Sequence, residues 1–87
     1  MNIEDEIRSA LKSNNAIIGY RESIKFIKMN SPKMIVLARN APKKIKEEIA
    51  HNAELSKVKV EIFEGSSVEL GTICGKPFPV MTLVIKD

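Results

Sequence analysis

Five consecutive apolar residues, Met34-Ile-Val-Leu-Ala38, lie between Pro32 and the Asn40-Ala41-Pro42 turn. The run has the length of a strand and no polar position within it. A strand on a half-wetted sheet alternates between apolar and polar side chains. One that does not alternate is covered on both faces. The rest of the chain therefore has to supply two covering layers.

The flanking sequence reads as those layers. Ile3, Ile7, Ala10 and Leu11 recur at i, i+4, i+7 and i+8, which predicts an amphipathic helix over 2–13. Asn2 is its expected cap, and Glu4, Asp5 and Glu6 suit the positive end of its dipole. Ser13-Asn14-Asn15 is a turn, and Ala16-Ile17-Ile18 is a short buried strand ending at Gly19. Helical spacing returns over 20–30, with Tyr20, Ile24 and Ile27 on one face and Arg21, Lys25 and Lys28 on another. Asn30-Ser31-Pro32 ends that helix, because the residue before proline resists helical geometry.

Beyond the central run, Asn40 is the expected N-cap of a third helix with Pro42 in its first turn. Ile45, Ile49, Ala53 and Leu55 mark its inner face. Val58-Lys-Val-Glu-Ile-Phe63 alternates, with Val58, Val60 and Ile62 together, as suits a strand nearer the sheet edge. Ser66-x-x-Glu69 is a capping box and Gly75 occupies a C′ position, so a short helix is expected over 67–74. Lys76-Pro-Phe-Pro79 is a stiff extended connection into a last strand, Val80–Ile85. The order α-β-α-β-α-β-α-β implies an α/β fold: a three-layer α/β/α sandwich on a four-stranded mixed sheet. A length of 87 residues makes this one domain, 1–87.

Composition removes several function classes. No apolar run approaches the roughly 20 residues needed to cross a bilayer. The acidic start is not a targeting segment, so a cytoplasmic location without membrane contact is expected. One cysteine excludes an internal disulfide, and with one histidine it leaves a Cys/His metal site short of ligands. No metal and no cofactor are expected. His51 falls in a helical pattern as a surface residue, Cys74 reads as a small core residue, and Glu47-Glu48 as solvated. No nucleophile, base and orienter come together, so the chain is not expected to be an enzyme.

The net charge of +3 is unevenly spread. Residues 19–46 carry eight bases against one acid, whereas residues 47–69 carry two bases against six acids. In open α/β sheets ligands bind beyond the carboxyl ends of the strands, where helix N-termini also point. Here those loops begin at Gly19, Arg39-Asn40 and Glu64-Gly65. Arg21, Glu22 and Lys25 follow the first, and Lys43 and Lys44 the second, so the positive block falls on this rim and points to a phosphate-bearing partner. Gly19-Tyr-Arg-Glu-Ser matches neither GxGxxG nor GxxxxGK[ST], which speaks against a nucleotide loop. Gly65, Gly71 and Gly75 read as capping and close-packing residues. Phe78, held between two prolines, either stacks on an unpaired base or packs into the core.

Four segments together resemble the ribosomal protein L30e family of the L7Ae/L30e superfamily, found in archaea and eukaryotes. They are Ile18-Gly-Tyr-Arg-Glu-Ser-Ile-Lys25, Lys33-Met-Ile-Val-Leu-Ala-Arg-Asn-Ala-Pro42, Leu55-Ser56 and Glu64-Gly-Ser-Ser-Val-Glu-Leu-Gly-Thr-Ile-Cys-Gly-Lys76. The likeness covers nearly the whole chain in register, and the lysine- and isoleucine-rich composition resembles archaeal members. It implies the same sandwich, and binding to a kink-turn, a sharply bent RNA element with a flipped-out base. It also implies a non-catalytic role in the large ribosomal subunit, with rRNA as partner. The residues that match the family's contacts are Gly19, Tyr20, Arg21, Glu22 and Lys25, then Asn40, then Phe78, Pro79 and Val80, with Arg39 and Lys43 beside them. Arg21 stands where the L7Ae branch has asparagine, which is closer to the L30e branch. On this reading Arg21, Lys25 and Lys43 neutralise phosphates, Asn40 and Glu22 meet base edges, and Phe78 and Val80 cover the flipped base. The alternatives are an L7Ae-like protein of a guide-RNA or RNase P particle, a small nucleotide-binding α/β domain, and a protein–protein adaptor. A monomer is expected off the ribosome.

Overall fold

The computed structural model describes residues 3–30 and 32–86. Its elements run α1 (Ile3–Lys12), β1 (Ala16–Ile18), α2 (Tyr20–Met29), β2 (Met34–Ala38), α3 (Lys43–Ser56), β3 (Lys59–Phe63), α4 (Ser67–Ile73) and β4 (Thr82–Ile85). The expected alternation is present in full. Asn2 and Ser31, assigned to a cap and a helix stop, lie outside the described residues.

The four strands form one sheet in the order β1-β4-β2-β3. β2 and β3 are parallel, while β4 runs antiparallel to both of its neighbours, β1 and β2. The sheet is therefore mixed, and β4 and β2 are its two central strands. Both are buried at every position. Along β2 the side chains divide between two cores, which is why the run has no polar residue. Met34, Val36 and Ala38 join Ile7 and Ala10 of α1 and Leu70 of α4. Ile35 and Leu37 join Ile24 and Ile27 of α2 and Ile49 and Ala53 of α3.

Local departures from expectation have local causes. α3 begins at Lys43 with Pro42 at its N-cap and no side-chain cap, so Asn40 is not the cap of this helix. Its inward row runs Ile45, Ile49, Ala53 and on to Ser56, whose hydroxyl donates to the Ile27 carbonyl at 3.3 Å. Leu55 falls off that row and is 71% exposed. β3 starts one residue later than expected. Ile62 is 45% exposed on β3, one of the two outer strands, with a strand neighbour on one side only. β4 starts at Thr82, two residues later than expected; the preceding Val80 is a buried member of the core shared by α1 and α4. The Thr82 hydroxyl is buried with no hydrogen-bond partner among the described residues.

Candidate nucleic-acid interface

β1, β2 and β3 all point the same way, and β4 enters the sheet from the edge at which they end. Three loops far apart in sequence therefore meet on one rim. The antiparallel course of β4 brings 76–81 to the loops after β1 and β2.

The first loop is the corner at Gly19. Its φ of 109° strains any residue with a Cβ, although a Cβ there would meet nothing within 4 Å. Conformation, not crowding, requires the glycine. The corner is tied down by its N–H, which donates to the Thr82 carbonyl at 2.9 Å, and by its own carbonyl, which accepts from Ser23 N–H at 3.0 Å. Ser23 Oγ donates to the same carbonyl at 2.6 Å. Tyr20 is half-buried against the α2–α3 core, and its hydroxyl donates to the Glu48 carboxylate. That bond, then desolvation, then the carboxylate's charge, raise the phenol above its ordinary pKa. Glu48 is thus a bonded strut between α2 and α3 rather than a solvated surface acid. Arg21, Glu22 and Lys25 are exposed on the first turns of α2. None of the three makes an ion pair among the described residues.

The second loop follows β2. Ala38 N–H donates to Met81 O at 2.8 Å, and Arg39 N–H to Gly65 O at 3.3 Å. Lys46 reaches back from α3 to donate to the Arg39 carbonyl at 2.8 Å. Arg39 and Asn40 are exposed. The Asn40 side-chain oxygen accepts from Ser67 N–H at 2.8 Å, so this asparagine satisfies the N-terminus of α4, not of α3. Lys43 stands 3.8 Å from Glu47 with both side chains largely in water, a weak pairing.

The third loop leaves α4 through a Schellman ending: Gly75 has φ 72°, Gly75 N–H donates to Thr72 O at 3.0 Å, and Lys76 N–H to Gly71 O at 2.9 Å. At the start of α4, the forward half of the capping box is formed by Glu69 N–H and Ser66 Oγ at 3.2 Å. Val80 N–H donates to Ser67 O at 2.9 Å, which draws the loop onto α4. Phe78 is 53% exposed, whereas Val80 is 2% exposed. The ring is free to stack, and the Val80 side chain is committed to the core.

Gly19, Tyr20, Lys76, Phe78, Pro79 and Val80 line one groove of about 470 Å³. Arg21, Glu22 and Lys25 follow directly on its Tyr20 wall. Arg39 and Lys43 are not among its lining residues, and Asn40 faces α4. The third strand end, Glu64-Gly65, belongs to a different groove of about 690 Å³ over β3 between α1 and α4. That groove carries Glu4, Glu6, Glu61, Glu64 and Glu69 against Lys59 alone. Cys74 is buried, and burial pushes its thiol pKa up, as suits a packing residue. His51 is exposed. Among the described residues, no cluster of His, Cys, Asp or Glu is arranged to hold a metal, and no helix is long and apolar enough to cross a membrane.

Sequence reading missed three supports of the rim: Ser67, Lys46 and Glu48. Each acts through a contact across 7 to 28 positions that no local pattern encodes. The rim offers amide and guanidinium donors, one free carboxylate and an aromatic ring, which suits recognition rather than bond-making chemistry.

The family model "Ribosomal protein L7Ae/L30e/S12e/Gadd45 family" matches residues 1–87. The large ribosomal subunit protein eL30 of Methanothermobacter thermautotrophicus is 44% identical over 87 residues, covering 100% of this chain and 89% of that protein. The eL30 of Saccharolobus solfataricus is 39% identical over 87 residues, covering 100% and 81%. In fold, the chain is similar to a Giardia lamblia 15.5kD RNA binding protein, with a TM-score of 0.87 at 19% identity over 98% of this chain and 71% of that one. A Bacillus halodurans protein of unknown function gives 0.86 at 17% identity, over 97% and 83%.

Proposed function

The chain belongs to the ribosomal protein L7Ae/L30e/S12e/Gadd45 family, and from that premise we propose that its basic rim grips a kink-turn in rRNA. It is a structural, non-enzymatic component of the large ribosomal subunit, located on the ribosome in the cytoplasm, with rRNA as its partner. The finer reading rests on one observation. The antiparallel entry of β4 sets an exposed, proline-braced Phe78 across a groove from the N-terminus of α2. A flipped base needs an apolar surface to lie on, and a crowded phosphate bend needs cations and helix N–H groups beside it.

Roles follow from what each side chain has left to offer. With its oxygen engaged by Ser67 N–H, Asn40 presents its Nδ2 as a donor, which suits a purine acceptor such as guanine O6 or N7. Glu22, exposed at the start of α2, accepts from exocyclic amino groups. Arg21 and Lys25, one turn apart on α2, neutralise phosphates, and Arg39 adds to this field from the next loop. Lys43 contributes after releasing its weak hold on Glu47. Phe78 supplies the stacking surface, Gly19 and Tyr20 the opposite wall. Pro79 stiffens the loop, and Val80 anchors it through the core.

The test is a titration of a labelled kink-turn RNA and a paired duplex of equal length at two salt concentrations. The expected result is a preference for the kink-turn that persists at the higher salt. Equal, salt-sensitive binding to both RNAs would reduce the rim to a non-specific basic patch.

A further inference from the structure

Gly71 sits buried in the middle of α4, where glycine is unfavourable for the helix. A Cβ at this position would run into the Phe78 carbonyl oxygen, stand 3.2 Å from its carbon and 3.5 Å from Pro79 Cα. The loop that carries Phe78 therefore rests directly on the α4 backbone. It is hooked there at both ends, by Lys76 N–H on Gly71 O and by Val80 N–H on Ser67 O, both at 2.9 Å. The two hooks are one helical turn apart. Prolines at 77 and 79 leave little internal freedom between them. The Phe78 ring is half in water, so its position is set by this backbone seat rather than by packing around the ring.

We propose that Gly71 is a positioning residue for base recognition: by admitting the Phe78–Pro79 backbone against α4, it fixes the width of the groove between Phe78 and the Gly19–Tyr20 wall. Gly71 touches no RNA on this account and acts only through the loop. The proposal rests on the kink-turn reading above. An added methyl group has to lift the loop as a unit, because its prolines prevent local adjustment. The lifted ring then meets a flipped base poorly, while the cations of α2 are unchanged.

The experiment compares Gly71→Ala and Pro79→Gly with the unaltered chain. Three RNAs are used: a kink-turn, the same kink-turn with its flipped nucleotide made abasic, and a duplex. Circular dichroism and thermal melting accompany each titration. The unaltered chain is expected to favour the intact over the abasic kink-turn by about tenfold, the scale of one stacked base. Gly71→Ala is expected to lose most of that tenfold while binding the abasic RNA as before. Pro79→Gly, which frees the loop without touching α4, is expected to show the same selective loss. Phe78→Ala combined with Gly71→Ala is expected to fall no further than Phe78→Ala alone. Full retention of the base preference in Gly71→Ala would overturn the role of Gly71 and leave the kink-turn reading standing. An equal loss on all three RNAs, or an unfolded Gly71→Ala, would show that Gly71 serves the fold alone. Failure of the unaltered chain to prefer the kink-turn over duplex would remove both.

Discussion

The groove between Gly19 and Phe78 and the groove over β3 draw on strands of the same sheet, yet their linings are of opposite character. The first is smaller, about 470 against 690 Å³, and its charged lining residue is Lys76. The second is roomier and carries five glutamates against one lysine, which is paired to Glu61 at 2.7 Å. Size alone would select the acidic groove, which suits a polyanion poorly. On the proposed reading, a polyanion approaching this edge is drawn to the α2 side and turned away from the α4–β3 side, so the acids would mark where RNA stops as the bases mark where it sits. The pairing of Glu61 also raises the Lys59 pKa, which keeps that lysine charged and occupied.

The sharpest way to break this contrast is at Asn40. Asn40→Ala is expected to weaken kink-turn binding by roughly 10- to 100-fold, the value of a lost base contact, with duplex binding unchanged. It should also cost about 1 kcal/mol of stability, because Ser67 N–H loses its acceptor. Asn40→Asp separates the two effects: it keeps an oxygen for Ser67 and removes the donor, so stability should hold while affinity falls. Arg21→Glu carries the acidic character across the boundary. It is expected to lower affinity by about tenfold and reduce the salt slope by about one, read by titration across salt.

Thr82→Val probes the floor of the rim without altering its charge. Its hydroxyl is buried without a partner among the described residues, so the substitution should stabilise by about 1 kcal/mol and raise the melting point by about 4–8 °C with affinity unchanged. Glu64→Lys works from the other side. It should leave kink-turn affinity within about threefold and slightly raise duplex binding, because a single exposed charge is worth little. A large loss of kink-turn preference in Glu64→Lys would mean the acidic groove belongs to the interface after all. The smallest effect is at high pH. Tyr20 is the chain's one tyrosine, and there is no tryptophan, so absorbance reads its ionisation directly. Its folded pKa is raised, so the associated stability is complete below the ordinary phenol value near 10 and is lost as pH climbs through the raised value. Glu48→Gln should bring the titration back toward 10.

Much of this was legible in the sequence because the decisive patterns are local. The unbroken run 34–38 announced a central strand, the i, i+4 rows announced three helices, and Ser66 with Gly75 bracketed the fourth. The rim was legible only in part: Gly19, Arg21 and Asn40 follow strand ends, but Glu64-Gly65, expected on the same rim, lies in the other groove. Contacts across the fold were not. Asn40 looks like the cap of the helix that follows it, and only the tertiary structure turns its oxygen toward Ser67. Leu55 and Ile62 look inward by composition, but one lies off its helical row and the other on an outer strand. Val80 reads as available beside Phe78, yet one of the two faces the core and the other faces water.

The placing of β4 between β1 and β2 also imposes a schedule. A chain emerges from the ribosome in sequence order, at about 5–20 residues per second. Of these four strands, the fourth in chain order is a central one. Until it arrives, β1 and β2 each have an open edge, Gly19 lacks the Thr82 carbonyl that anchors it, and the 76–80 loop, though seated on α4, is not yet held beside the Gly19 corner. A partly made copy therefore presents scattered cations but no assembled rim. If the rim binds RNA as proposed, that hold begins only once β4 has cleared the exit tunnel, so the order of strands in the sheet would set when each new copy can enter a particle.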